Sequence, residues 1–256
     1  MKMMHKLSQE GSRYFINYSK KFSSEHTFRD ETIDAVFDFA YAMTFGDGEH
    51  RDHRTGGTLN RKKGQMFIHA FQGKLSELGV YNAFFEANRA VYRKLSEPDF
   101  EVYGLGEWDD SDISLDTMKF SVKSTKFYGN LLLLETKDWN EKGEYIPNLK
   151  VGKNAVYDYF VLVRIKPDAE KIMRNNRLLH SNNINKEMLY NLITSKKWEY
   201  DIVGQITNEM LKDLILHDFI LPKKSLLNGT VSMDAENYYV QSGDMNCFKN
   251  LVSSLK

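Results

Sequence analysis

The sequence predicts one mixed domain of the α/β (α+β) class, with a mixed central β-sheet flanked by helices. Apolar residues recur at three- and four-residue steps before residue 100, and the period changes to two between Phe100 and Lys166, where β-branched and aromatic residues become frequent. Bulk composition agrees. The 256 residues are 41% hydrophobic and 27% charged, with only 4 Pro and 16 Gly, so one buried core is affordable and no stretch reads as low-complexity.

Along the chain, residues 1–63 read as a helical and loop extension. Ile33, Val36, Phe37 and Ala40 share one helical face, Asp30 or Thr32 is available as a cap, and the pattern breaks at Gly46, Asp47 and Gly48 before a loop to about Lys63. Residues 64–170 form the core segment. From Met66, the side chains of Phe67, Ala70, Phe71, Leu75 and Leu78 line one buried face, with Lys74 and Glu77 off the stripe. Ile113 and Leu115 alternate with Asp112, Ser114 and Asp116, and beyond a turn at 116–119, Phe120 and Val122 alternate with Ser121, Lys123 and Thr125. These are two strands of a hairpin with one apolar and one polar face. A turn at 127–130 leads into Leu131 to Leu134. A four-residue loop there pairs Val122 with Glu135 and turns Glu135 to the core, whereas a three-residue loop pairs Lys123 with Glu135. The apolar run from Tyr157 to Ile165 has the length of a buried strand. Residues 171–256 read as a C-terminal extension with helices around Asn185 to Ser195 and Asn208 to His217, then a mixed segment from Leu226.

Thirty-five basic residues balance thirty-five acidic ones, which excludes a cationic protein that holds nucleic acid through its overall field. Any such contact is local. The most basic run has Arg51, Arg54, Arg61, Lys62 and Lys63 against Asp52, with Gly56 and Gly57 between them; it reads equally as a phosphate-contacting loop or as a solvated charge run. The opening residues turn polar at once and Leu131 to Leu134 is too short to span a bilayer, so a cytoplasmic protein without membrane contact is expected. A single cysteine, Cys247, excludes an internal disulfide and a cysteine-rich zinc site. Glu49, His50, Asp52 and His53 complete no metal set, because the flanking glycines argue against the helix that would gather them.

Placing Ile113, Leu115, Phe120 and Val122 in the core brings Asp112, Ser121 and Lys123 together on the other face. Phosphodiester hydrolysis needs a hard cation to polarise phosphoryl oxygens and activate water, and a positive group to orient that water or stabilise developing charge. Asp112 can serve the first need and Lys123 the second. A plain surface ion pair has the same spacing.

The run from Asp112 to Thr125, D-I-S-L-D-T-M-K-F-S-V-K-S-T, resembles the motif of the PD-(D/E)XK nuclease superfamily, in which an Asp begins one strand and an acid-X-Lys triplet lies on the next. The departure is Ser121, where that acid is expected. A subset of type II restriction endonucleases is similar, with Ser-Val-Lys and a relocated glutamate. Two glutamates can fill the role. Glu135 lies twelve residues after Lys123, and Glu77 resembles the acid that the first core helix of many such nucleases points at the metal; Glu77 is the preferred one. The resemblance implies a restriction-endonuclease-like core and Mg²⁺ as cofactor, held by Asp112, a glutamate and the backbone carbonyl of Val122, with no organic cofactor. It also implies double-stranded DNA as substrate, cut at a short specific sequence by a homodimer. Asp109 and Asp110 are the fallback ligands. DNA contacts are expected from Arg51, His53, Arg54, Arg61, Lys62, Lys63, Thr125 and Lys126. Asn237, Tyr238 and Gln241 are added, although a pair such as Tyr238 and Tyr239 also reads as core. The alternatives are a repair or junction-resolving nuclease of the same superfamily and a DNA-binding module without catalysis.

Overall fold

The computed structural model is a mixed α/β fold, and it describes residues 4–46, 61–88, 93–101 and 111–255. Strands β1 (Ser8–Glu10), β2 (Arg13–Phe15) and β3 (His26–Thr27) precede helices α1 (Asp30–Phe45) and α2 (Lys63–Asn88). Then come β4 (Ile113–Leu115), β5 (Met118–Lys126), β6 (Leu131–Glu135), α3 (Ile146–Lys150), β7 (Tyr159–Lys166), α4 (Ala169–Asn175), α5 (Lys186–Thr194) and β8 (Glu199–Thr207). The chain continues through α6 (Asn208–Leu216), β9 (Ile220–Leu221), β10 (Leu226–Leu227), β11 (Val231–Ser232), β12 (Asn237–Gln241) and α7 (Phe248–Ser254).

Among the described residues the strands form three sheets. The largest has the order β3-β8-β7-β5-β4, with β5 and β7 parallel and the other neighbours antiparallel. Strands β6, β12 and β9 make a second sheet, and β1, β2, β10 and β11 a third. Both faces of the five-stranded sheet are covered. On one, Phe120, Val161, Val163 and Ile165 pack against Phe37 of α1 and Phe67, Phe71 and Phe84 of α2. On the other, Phe160, Leu162 and Ile206 meet Leu132 and Leu134 of β6, Leu211 of α6 and Val240 of β12. Burial on both sides is why β7 is a nearly continuous apolar run, interrupted by the buried Arg164, instead of an alternating one.

Four expectations are corrected. The N-terminal extension is only partly helical, since residues 8–27 supply three strands; β2 pairs with β10, matching Arg13 to Leu226, and nothing in the local sequence encodes so distant a partner. Helix α1 starts at Asp30 with Arg29 as its cap and no side-chain bond there, so neither Asp30 nor Thr32 caps it; Asp30 and Glu31 sit in the first turn, where carboxylates favour the helix dipole. Strands β5 and β6 are not hairpin partners in any register. Glu135 pairs with Asn237 on β12, while β5 lies between β4 and β7. Lastly, Lys74 is buried at 8% exposure, with its ammonium 4.8 Å from the Phe39 ring centroid and 5.6 Å from that of Phe100.

The sheet also draws on the chain beyond residue 170, because β8 runs antiparallel to β7 along its length. Helices α5 and α6 fall where the periodicity places them, capped by the Asn185 and Thr207 side chains. Among the described residues no helix is long and apolar enough to cross a membrane.

Candidate active site

Asp112 stands one residue before β4. Ile113 pairs with Phe120, both fully buried, so Asp112 comes opposite Ser121. Its Oδ2 accepts the Val122 N–H at 2.6 Å and the Ser121 hydroxyl at 3.4 Å. Ser121, at the position where the resemblance expects an acid, is therefore closed in at 3% exposure and committed to Asp112. The N–H and C=O of an extended residue point to the same strand edge, so the Val122 carbonyl is directed to the edge where Asp112 sits.

Lys123 pairs with Leu162, whose side chain belongs to the core beneath the second sheet, so Lys123 looks the same way. From that sheet come Glu135, the last residue of β6, and Asp138, the last of a 3₁₀ turn at Thr136–Asp138. Burial pushes the Asp138 carboxyl up from its ordinary value, against the pull of Lys137, Lys123 and Lys150. Glu135 is also pushed up, by burial first and then by the charge of Asp138 and, more weakly, Asp234; Lys137 and Arg61 oppose this. Its Oε2 is shielded from solvent and takes no hydrogen bond, with the Lys137 ammonium 3.8 Å away. Two desolvated acids beside one another suit a cation between them. Sequence reading passed over Asp138, although Glu135-x-x-Asp138 closing a buried strand was the signal.

Glu77 stands elsewhere. Helix α2 packs on the Phe120 and Val122 face of β5, and Glu77 Oε2 bonds the Lys74 ammonium at 2.5 Å, which also donates to the Asp99 carbonyl at 2.6 Å. Asp138 is the acid whose carboxyl feels the Lys123 charge, and Glu135 stands beside Asp138.

The expected DNA contacts divide. Lys62 is exposed, the charge of Arg61 reaches Glu135, and the Lys63 ammonium lies 5.5 Å from the Phe45 ring centroid. Thr125 is half-buried, its side chain against Gly129. Lys126 is engaged with Glu170 at 2.8 Å. Tyr238 is half-buried, while Tyr239 is core. Asn237 and Gln241 are corrections, because both are buried and internally bonded and neither is open to a base. Asn237 donates to the Ala235 carbonyl. Gln241 has no exposed surface and clasps the start of the chain: its Oε1 accepts from the Asn17 and Tyr18 N–H groups and its Nε2 donates to the His5 carbonyl and the Asn17 side chain. Arg51, His53, Arg54, Asp109 and Asp110 lie outside the described residues.

Among the described residues no three His, Cys, Asp or Glu side chains gather closely enough to hold a metal ion. The candidate donors are all oxygen: Asp112, Glu135, Asp138 and the Val122 carbonyl. By type, and by the unsatisfied Glu135 oxygen, they fit a hard divalent cation. Comparison with protein-family models, with curated proteins and with solved structures gives no match.

Proposed function

We propose that the protein is a magnesium-dependent endonuclease of double-stranded DNA, with a restriction-endonuclease-like core, cutting at a short specific sequence as a homodimer. The observation that carries the reading is that Asp138, beside the desolvated Glu135, feels the charge of Lys123, which lies on the strand next to an Asp112 anchored by the Val122 N–H. Asp112, Glu135 and the Val122 carbonyl would hold the metal, which would supply polarisation of the phosphoryl oxygen and a more acidic water. Asp112 is fixed by its bonds to Ser121 and Val122, so its carboxylate is oriented before any ligand arrives. Lys123 donates from Nζ to the attacking water or to the scissile phosphate, stabilising negative charge as it develops. Asp138, whose carboxyl feels the Lys123 charge, keeps that ammonium at the site.

Ser121 favours one other reading, a DNA-binding module in which a serine has replaced the catalytic acid. Digestion of plasmid DNA with and without Mg²⁺ separates the two. Cleavage is expected only with Mg²⁺, and Asp112→Asn and Lys123→Ala should each slow it by about a hundredfold or more with little change in melting temperature. A near wild-type rate in either stable variant would sink the catalytic assignment.

A further inference from the structure

Residues 145–156 form a closed loop that carries α3. The Tyr145 N–H donates to the Ala155 carbonyl at 2.7 Å and closes the neck. Inside, Asn148 is fully buried; its Nδ2 donates to the Asn154 carbonyl at 3.0 Å, and its own carbonyl accepts from Lys153 at 3.0 Å and Val151 at 3.2 Å. Gly152, at φ +69, supplies the left-handed turn. The tip is firmly built, yet it holds apolar side chains in solvent: Leu149 is 44% exposed, Val151 49% and Val156 40%. Exposed Lys150 and Lys153 alternate with them, and no acid occurs from Ile146 to Tyr157.

Helix α3 packs against the Thr136–Asp138 turn, and the Lys150 charge reaches the Asp138 carboxyl. The tip therefore stands beside the candidate active site, where Lys137 lies 3.8 Å from Glu135 and the charges of Arg61, at Glu135, and Lys150, at Asp138, also act, with Asp234 opposing them. Ammonium groups interleaved with branched apolar side chains suit a duplex groove, with lysines on flanking phosphates and the apolar groups against sugars and base edges. An anionic membrane or a second copy of the chain would also accept such a tip. The position against the Thr136–Asp138 turn, where the Lys123 charge also reaches Asp138, favours DNA.

We propose that the tip Leu149–Lys153 is a DNA-groove contact that positions the duplex over the Lys123 face. This rests on the nuclease reading. The test uses the full chain and a fluorescent duplex of mixed sequence, with Ca²⁺ in place of Mg²⁺, titrated at several salt concentrations. Lys150→Glu with Lys153→Glu should weaken binding about tenfold and lower the log–log salt slope by about two. Leu149→Ser with Val151→Ser should weaken binding by roughly tenfold and leave the slope unchanged. Met188→Ser, an exposed apolar residue on α5 in the opposite layer, should do neither. Folding is checked by melting temperature. If wild type binds and the tip variants bind equally well, the tip proposal falls and the nuclease reading stands. If wild type neither binds nor cuts duplex DNA, both fall. Loss in the tip variants of binding to phosphatidylserine vesicles, or of a dimer in sedimentation, with DNA affinity unchanged, assigns the tip to those partners and overturns the proposal.

Discussion

Glu77 and Glu135 carry the same side chain in unlike surroundings. Glu77 neutralises a buried lysine, whereas Glu135 has an oxygen with neither solvent nor a hydrogen bond. Glu135→Gln should raise the Mg²⁺ concentration for half-maximal cleavage about tenfold or more, as expected when an anionic ligand is lost. Glu77→Gln should leave that concentration nearly unchanged but lower stability by about 1–3 kcal/mol, because Lys74 keeps its charge under Phe39 and Phe100. Magnesium titration of the cleavage rate together with thermal melts decides it, and the reverse ranking returns the ligand role to Glu77. At this scale the sequence was legible for Asp112, Ser121 and Lys123, whose common face follows from alternation alone. It was not legible for the second acid. Residues distant in sequence, Phe39, Asp99 and Phe100, hold the Lys74 ammonium that satisfies Glu77.

Helices α5 and α6 were readable as elements because each has an apolar face and a cap next to it. Strand β8 was not, since Glu199–Thr207 interrupts its apolar residues with Asp201, Gly204 and Gln205. All three have partners from other parts of the chain. The Asp201 carboxylate takes a two-pronged bond from Arg164 of β7, at 2.9 and 2.5 Å. The Gly204 position faces the Asn246 carbonyl, 2.5 Å from where a Cβ would stand, and Gln205 exchanges backbone bonds with Asn246. Arg164 also donates to the Lys20 and Lys21 carbonyls and to Asn130, in the segment that leads from β5 to β6. Asp201→Ala would leave this buried guanidinium without its counter-charge, at an expected cost of about 3–5 kcal/mol in urea unfolding. A loss under about 1 kcal/mol would mean that the carbonyls alone satisfy Arg164. The run Leu131 to Leu134 was readable as a strand but not as a member of a second sheet, because four leucines in a row carry no parity.

Across the whole molecule opposite formal charges cancel at neutral pH and acid removes the negative half, so carboxylates held by partners in the fold resist that loss. Glu170 joins three elements, bonding His69 of α2 and Lys126 of β5 at 2.8 Å each from the first turn of α4. The hydrogen bond from His69, aided by Lys126, holds its carboxyl at about 2, below the ordinary 4.5. A depressed carboxyl stabilises the fold fully above its unfolded value, and that contribution is lost as pH falls from about 4.5 toward 2. At neutral pH it amounts to about 3 kcal/mol at most. Glu170→Gln should therefore lower the melting temperature at pH 7 and flatten its decline over that acid range. Parallel melting curves for the two proteins would show that Glu170 contributes nothing.

The Gln241 clasp joins segments that lie 224 residues apart at Asn17, and β12, which carries Gln241, also supplies the strand beside Glu135. A ribosome releases Glu135 about a hundred residues before the strand that will hold it, and releases the opening segment earlier still. Long-range closure of this kind comes late in folding. Glu135 therefore has its strand partner only after β12 has been made, so a chain that stops short of Asn237 carries Lys123 without that pairing. On the nuclease reading proposed above, the order of synthesis itself would keep a chain that lacks β12 harmless.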